Sequence, residues 1–215
     1  AYQAASRAQK KLSVLVCGVS SKWFSVESID GVENAALSFI PEEYLSPLPR
    51  GASTAMIKNI GTMAGLHFDD EAADAISSAC SDMPFWIRKA CSYIHGRTDT
   101  AARPLSMGKD DVAPSLGQFV ANDGADLAQV ALQHLFRVFP ELRLPAIQKL
   151  ADGNADIPTT WLRTLQKYGL LSSKGEISGQ MVREGLAKIV EQPEPDAEPV
   201  HGDASQPTPI RLAPS

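Results

Sequence analysis

The sequence lacks most of the features that mark a special class of protein. Only three cysteines occur, Cys17, Cys80 and Cys91, and no two form a CxxC pair. An odd, scattered set excludes a disulfide framework and a cysteine zinc knuckle. Each sits among apolar residues, so all three read as buried thiols of a reducing compartment. His67, His95, His134 and His201 are equally scattered and no HExxH occurs, so no structural zinc site is expected. No apolar run approaches the roughly 18 residues of a membrane-spanning helix. The opening AYQAASRAQK has no apolar signal-peptide centre. It also begins without Met, which reads as a fragment or a trimmed chain. Basic excess is missing too. Lys and Arg number 20 against 25 Asp and Glu, a net charge of −5. That balance argues against a generic nucleic-acid coat or an anionic-membrane binder.

What is present is an ordinary globular balance: 215 residues, 44% hydrophobic and 21% charged. That length suits one large domain or two small ones. After an Ala-rich start, Leu12 to Val19 (LSVLVCGV) is a nearly continuous Val-rich run ending near Gly. It suits a strand covered on both faces, as in a parallel sheet, and it is the one convincing strand expected before residue 170. Its partners would lie upstream. Residues 20–38 read as loop and short helix, with Trp23 and Phe24 as packing anchors. Pro41, Pro47 and Pro49 punctuate an extended connector.

Helical spacing then predicts helices at about 52–64, stopped by Gly65, and from an Asp69 N-cap onward with Asp70 and Glu71 in the first turn. A third opens at Ser81 or Asp82, carries Pro84 in its first turn and stops at Gly96. A fourth spans about 109–120, although Pro114 and Gly117 disfavour it. Further helices are expected at about 126–139, 144–151 and 158–168. A hairpin turning at Lys174-Gly175 and a helix over 179–190 follow. Helix, helix, helix, hairpin, helix is the winged-helix arrangement. The tail 191–215 has six prolines and few apolar residues, the composition of a disordered segment.

Motifs for complete catalysis are missing. The Gly108-Lys109 pair lacks the earlier Gly of a phosphate loop and is followed by Asp110. The stretch Leu66-His67-Phe68-Asp69-Asp70-Glu71 reads as an N-cap with an acidic first turn rather than a magnesium-holding strand end. No GxSxG elbow exists. Cys91 and His95 are four apart on an expected helix, and a buried Cys beside a helix-end His is the favoured reading over a nucleophilic pair.

The order of parts resembles the second half of an AAA+-related ATPase, most closely the STAND class of signalling NTPases. LSVLVCGVSS resembles the core strand that ends in a polar sensor residue, and Ser20 or Ser21 would occupy that position. YLSPLPRGASTAMIKNIGTMAGLHFDDEAADAISSACSDMPFWIRKACSYI looks like the helical lid of this class. Ser81-Asp82-Met83-Pro84 stands at its GxP-like turn, with Asp82 where the family has Gly. The resemblance implies that Met83 and Pro84 pack near adenine and that Arg88 senses phosphate, as a forked permanent cation can. Leu135-Phe136-Arg137-Val138-Phe139-Pro140-Glu141 is similar to the segment that opens the family's winged helix. The family's closing Met-His-Asp corresponds to Ser178-Gly179-Gln180, without the His.

The resemblance implies a mainly α chain: the end of an α/β core over 1–40, a lid over 41–122, a winged helix over 123–190 and a tail over 191–215. It implies a nucleotide-dependent switch that controls assembly or signalling in the cytoplasm. ATP or ADP with Mg would be bound by the full-length parent, whose upstream part carries the P-loop and the magnesium-binding acid. None is expected tightly bound to this chain alone. Partners would be the upstream core and further copies of the chain or another subunit, with no membrane.

A different reading is a DNA-binding winged helix. Arg163 and Lys167 would face DNA, Thr159 and Thr160 would sit at the helix start, and Lys174 would reach phosphate from the wing. Residues 126–190 hold eight Lys/Arg and six Asp/Glu, a thin positive surplus for such a role. A third reading is a scaffold whose PEPDAEP and QPTP segments are linker or ligand.

Overall fold

The computed structural model describes Ser28–Ile29, Val32–Glu33 and residues 46–191. The expected strand at 12–19, Trp23 and Phe24, and the tail from 192 onward lie outside the described residues. Among the described residues the chain is mainly helical. Eight α-helices follow one another: α1 Arg50–Met63, α2 Asp70–Ala79, α3 Pro84–Gly96, α4 Lys109–Phe119, α5 Ala125–Val138, α6 Arg143–Ala151, α7 Thr159–Lys167 and α8 Gln180–Glu191. Two short antiparallel strands, β1 Ser28–Ile29 and β2 Val32–Glu33, pair where the sequence pattern suggested loop and short helix.

Local chemistry accounts for the helix ends. Asp69 accepts from the Ala72 amide at 2.7 Å and caps α2, satisfying an otherwise orphaned donor. Asp70 and Glu71 follow in the positive first turn. α3 opens on Pro84, which needs no amide hydrogen there. Gly65, φ 72°, turns the chain out of α1 through the left-handed region. The opening of α3 differs from expectation. Ser81 and Asp82 do not cap it; they form a separate turn and Met83 precedes the helix.

Two further strands before residue 170 also escaped the sequence pattern. β3 Leu66–Phe68 and β4 Leu105–Met107 pair in parallel, with Leu66 opposite Leu105 and Phe68 opposite Met107. Three residues are too few to show a period of two. Their pairing encloses α2 and α3 as a crossover. Arg103 secures it. Its guanidinium donates to the carbonyls of Ala64 (3.1 Å), His95 (2.9 Å) and Thr98 (3.1 Å). These are the closing carbonyls of α1 and α3, where a cation is favoured. Its Nη1 also lies 2.5 Å from His95 Nε2. A guanidinium only donates, so the ring nitrogen is the acceptor in this contact.

α4 forms despite Pro114 and Gly117, both on its exposed face. Pro114 has no amide to donate to Asp110, itself an exposed residue. A five-residue π-helical segment, Val120–Gly124, then links α4 to α5 without a loop. The boundary expected at 122/123 falls within this continuous helical run. α5 packs most extensively against α8. Gly185 permits the approach, since a Cβ there would lie 2.7 Å from Ala128 Cβ.

One apolar core runs through the described residues. It includes Ile57, Ile76, Ile87 and Val112 from α1 to α4, the front elements, and Leu132, Leu165, Met181 and Leu186 from α5 to α8, the rear elements. Cys80 and Cys91 are buried free thiols within it. The expected hairpin after α7 is reduced to one antiparallel bridge, Leu171 to Ile177. The turn between is closed by Ser172 N to Glu176 O at 2.7 Å. Residues 172–176 spend their backbone groups on the turn itself, which leaves no ladder to extend.

Candidate functional site

The turn between α2 and α3 is the centre of the candidate site. Ser81 (φ 54°) and Asp82 (φ 56°) both occupy the left-handed region. That conformation costs a non-glycine residue roughly 1–3 kcal/mol and persists only where its surroundings hold it. The surroundings do. The Asp82 amide donates to Ser77 O at 3.1 Å, and the Met83 amide to Cys80 O at 3.0 Å. The Ser77 hydroxyl donates to the Asp82 carboxylate. The Leu48 amide donates to Asp82 O at 3.0 Å, and Arg50 Nη1 lies 3.5 Å from Asp82 Oδ1. The connector before α1 is therefore sewn to this turn. Asp82 supplies a short polar side chain that tolerates φ near +56°, so the turn forms without a Gly at that position.

The rear elements press on the same turn. A Cβ on Gly169, itself at φ 74°, would lie 2.8 Å from Pro47 Cγ and 3.5 Å from Met83 Cε. A Cβ on Gly179 would lie 2.4 Å from Ser81 Oγ and 2.6 Å from Ser78 O. Ser178 holds the two glycines in register. Its hydroxyl donates to Gly169 O at 2.5 Å and its amide to Leu170 O at 3.0 Å. The Ser81 hydroxyl is buried and has no hydrogen-bond partner.

Beside this junction lies a cleft of about 670 Å³ lined by Arg50, Ser78, Lys109, Ser178, Gly179 and Arg183, among others. Its ionisable lining residues, Arg50, Lys109 and Arg183, are all cations. Asp74 and Asp82 engage Arg50 from outside the lining, at 3.6 and 3.5 Å. An adjoining depression shares Lys109 and carries Asp70, Glu71 and Asp74 on its wall. A hydrogen bond from Lys58 and that lysine's charge hold the Asp70 carboxyl below its ordinary value. A second groove, about 760 Å³, lies between α1, β3 and α3. It is apolar, with Met63 (89% exposed) and Phe85 (57% exposed) at its rim and Arg88 and Lys89 beside them.

The residues singled out from sequence do not gather at one place. Met83 lies at the junction against Gly169, and Pro84 is exposed at the head of α3. Arg88 lines the apolar groove rather than the cationic cleft. Ser20 and Ser21 lie outside the described residues. Thr159, Thr160, Arg163 and Lys167 are exposed along α7, and Lys174 is exposed in the following turn. His134 is exposed on α5.

Cys91 and His95 do not make a nucleophilic pair. Burial pushes the Cys91 thiol up to about 12, and thiolate is the reactive form. His95 is committed to Arg103. No group of His, Cys, Asp and Glu among the described residues could hold a metal ion. Sequence reasoning missed Arg50, Lys109 and Arg183 as a set. They come from three helices far apart in the chain, and nothing in their local spacing links them. No helix among the described residues is long and apolar enough to cross a membrane. Compared with protein-family models, curated proteins and solved structures, the chain matches none.

Proposed function

We propose that this chain is the lid and winged-helix part of an AAA+-related, STAND-class ATP-binding protein, acting as a nucleotide-dependent switch. One observation carries the reading: Gly169 and Gly179, at the two ends of the segment after α7, pack inward, against the connector and the Ser81–Asp82 turn, while only the tip of the segment is exposed. A joint of this kind is bistable, because close-packed surfaces exchange between discrete arrangements rather than deform continuously. A nucleotide held by an upstream P-loop core would bias that joint from the Met83–Pro84 side, with Mg supplied at the core. Changed packing would expose a surface for further copies of the chain or for another subunit. The two buried free thiols fit a reducing, cytoplasmic setting. The test is titration of fluorescent ATP and ADP into the longer protein that carries this chain. Saturable binding, with different proteolytic cleavage near residues 169–179 in the two nucleotides, is expected. Absence of binding by the longer protein would sink the reading.

The DNA-binding alternative has its own observation. α7 buries Leu165 and turns Thr159, Thr160, Arg163 and Lys167 outward, as a recognition helix requires. A mobility shift that persists in moderate salt and weakens in Arg163→Ala would support it. Binding that is unchanged by Arg163→Ala and Lys167→Ala would remove it.

A further inference from the structure

We propose that the acidic stretch 194–203 of the chain's own C-terminal tail docks in the cationic cleft between α1, α4 and the start of α8. This goes beyond the nucleotide-switch reading and does not depend on it. The cleft is anomalous in an acidic protein. The chain carries a net charge of −5, yet the ionisable side chains lining this 670 Å³ space are Arg50, Lys109 and Arg183 alone. Asp74 and Asp82 take up part of the Arg50 charge, and Lys109 also borders the depression that carries Asp70, Glu71 and Asp74, so Arg183 carries most of the attraction, with Lys109 beside it. Ser178, Gly179 and Gln180 line the cleft at the head of the 12-residue α8, which adds the positive end of a helix dipole. Small lining residues, among them Ser78, Ala79, Ala113, Gly117, Ser178 and Gly179, leave room for an extended chain.

The tail has the opposite character and the right attachment point. Residues 192–215 contain Glu194, Asp196, Glu198 and Asp203 against a single Arg211, a net of −3. α8 ends at Glu191. Arg183 lies eight residues back, about 12 Å along the helix axis. Asp196 and Glu198 are five and seven residues beyond Glu191, so an extended chain carries them up to about 17 and 24 Å. The acids can therefore fold back along α8 and reach Arg183 within the same molecule, at the high effective concentration that a short tether provides. Pro193, Pro195 and Pro199 fix φ, which leaves the segment less backbone freedom to lose on docking.

The experiment uses the full 215-residue chain and a variant with Glu194→Gln, Asp196→Asn, Glu198→Gln and Asp203→Asn. Amide spectra are compared at low salt, about 0.05 M, and again at about 0.5 M, where screening shortens the reach of surface charge. Resonances of Gly179, Gln180 and Arg183 should differ between the two proteins at low salt and converge at high salt. A carbodiimide should also join Lys109 Nζ to Asp196 or Glu198 in the wild type, and mixed-isotope samples should place both ends in one chain. Unchanged cleft resonances at low salt overturn the proposal. Cross-links found only between copies overturn it too, and assign the cleft to a neighbouring molecule's tail instead.

Discussion

Gly179→Ala probes the junction on which the functional reading rests. Gly179 is not among the glycines at positive φ, so an alanine there meets no backbone strain and its effect is steric. Its Cβ would sit 2.4 Å from Ser81 Oγ, 2.6 Å from Ser78 O and 3.1 Å from Ser81 N. The hydroxyl can rotate away. The Ser78 carbonyl belongs to the last turn of α2 and cannot. Restoring an ordinary contact of 3.4 Å from 2.6 Å moves the start of α8 away from α2 by about 0.8 Å. Overpacking of this kind costs roughly 1–3 kcal/mol. The loss of unfolded-chain freedom on replacing Gly offsets about 0.4–1 kcal/mol. A net destabilisation of about 1–2 kcal/mol is expected, and a melting temperature lower by about 2–8 °C at this chain length.

Urea unfolding with an unchanged m-value is the assay. Ser81→Gly supplies the complementary test, since it removes a buried unpartnered hydroxyl and the strain of φ 54° together. Alone it should stabilise by about 1 kcal/mol. Combined with Gly179→Ala it should leave the double variant below Ser81→Gly, because Ser78 O still blocks the added carbon. Gly153→Ala, with nothing within 4 Å of its added carbon, is the control and should lie within about 0.5 kcal/mol of wild type. If Gly179→Ala behaves like Gly153→Ala, the front and rear elements do not meet as described.

Arg103→Ala should cost about 3 kcal/mol in urea unfolding, because three carbonyls lose a charged donor at once. Arg103→Lys should recover only part of it, since a point charge cannot fork between α1 and α3. Asp69→Ala should cost about 1 kcal/mol through loss of the α2 cap, while Asp69→Asn retains most of it. Cys80 and Cys91 should resist iodoacetamide at pH 8 until the protein unfolds, as read by mass mapping. Burial raises both thiols in the folded state from an ordinary 9.0, Cys91 to about 12. Between pH 9 and about 12 the unfolded chain has released protons that the folded chain retains. Stability is therefore complete below pH 9 and falls above it by up to about 1.4 kcal/mol per pH unit for each thiol. A flat alkaline profile would show that these thiols are solvated.

The helix ends were legible because their signals are local. Asp69, Pro84, Gly65 and Gly169 each act through a cap, a missing amide hydrogen or a positive φ, within a turn of where they stand. The expected bounds of α2, α5 and α8 likewise agree with the helices of the structure to within a few residues. Cys80 and Cys91 were read as buried thiols for the same reason.

The junction and the cleft were not legible in this way. β3 and β4 pair across a separation that includes two helices, and neither is long enough to announce itself. Ser81 and Asp82 accept a glycine-like backbone only because Ser77, Leu48 and Arg50 hold them there. Arg50, Lys109 and Arg183 converge only once three helices have packed. By itself the sequence determined which segments become helices and where they stop, since propensity, capping and periodicity act over about four residues. Tertiary structure alone decided which helix ends meet, which cations share a cleft and that the wing shrinks to one bridge, because those outcomes depend on long-range packing, which no short window of sequence encodes.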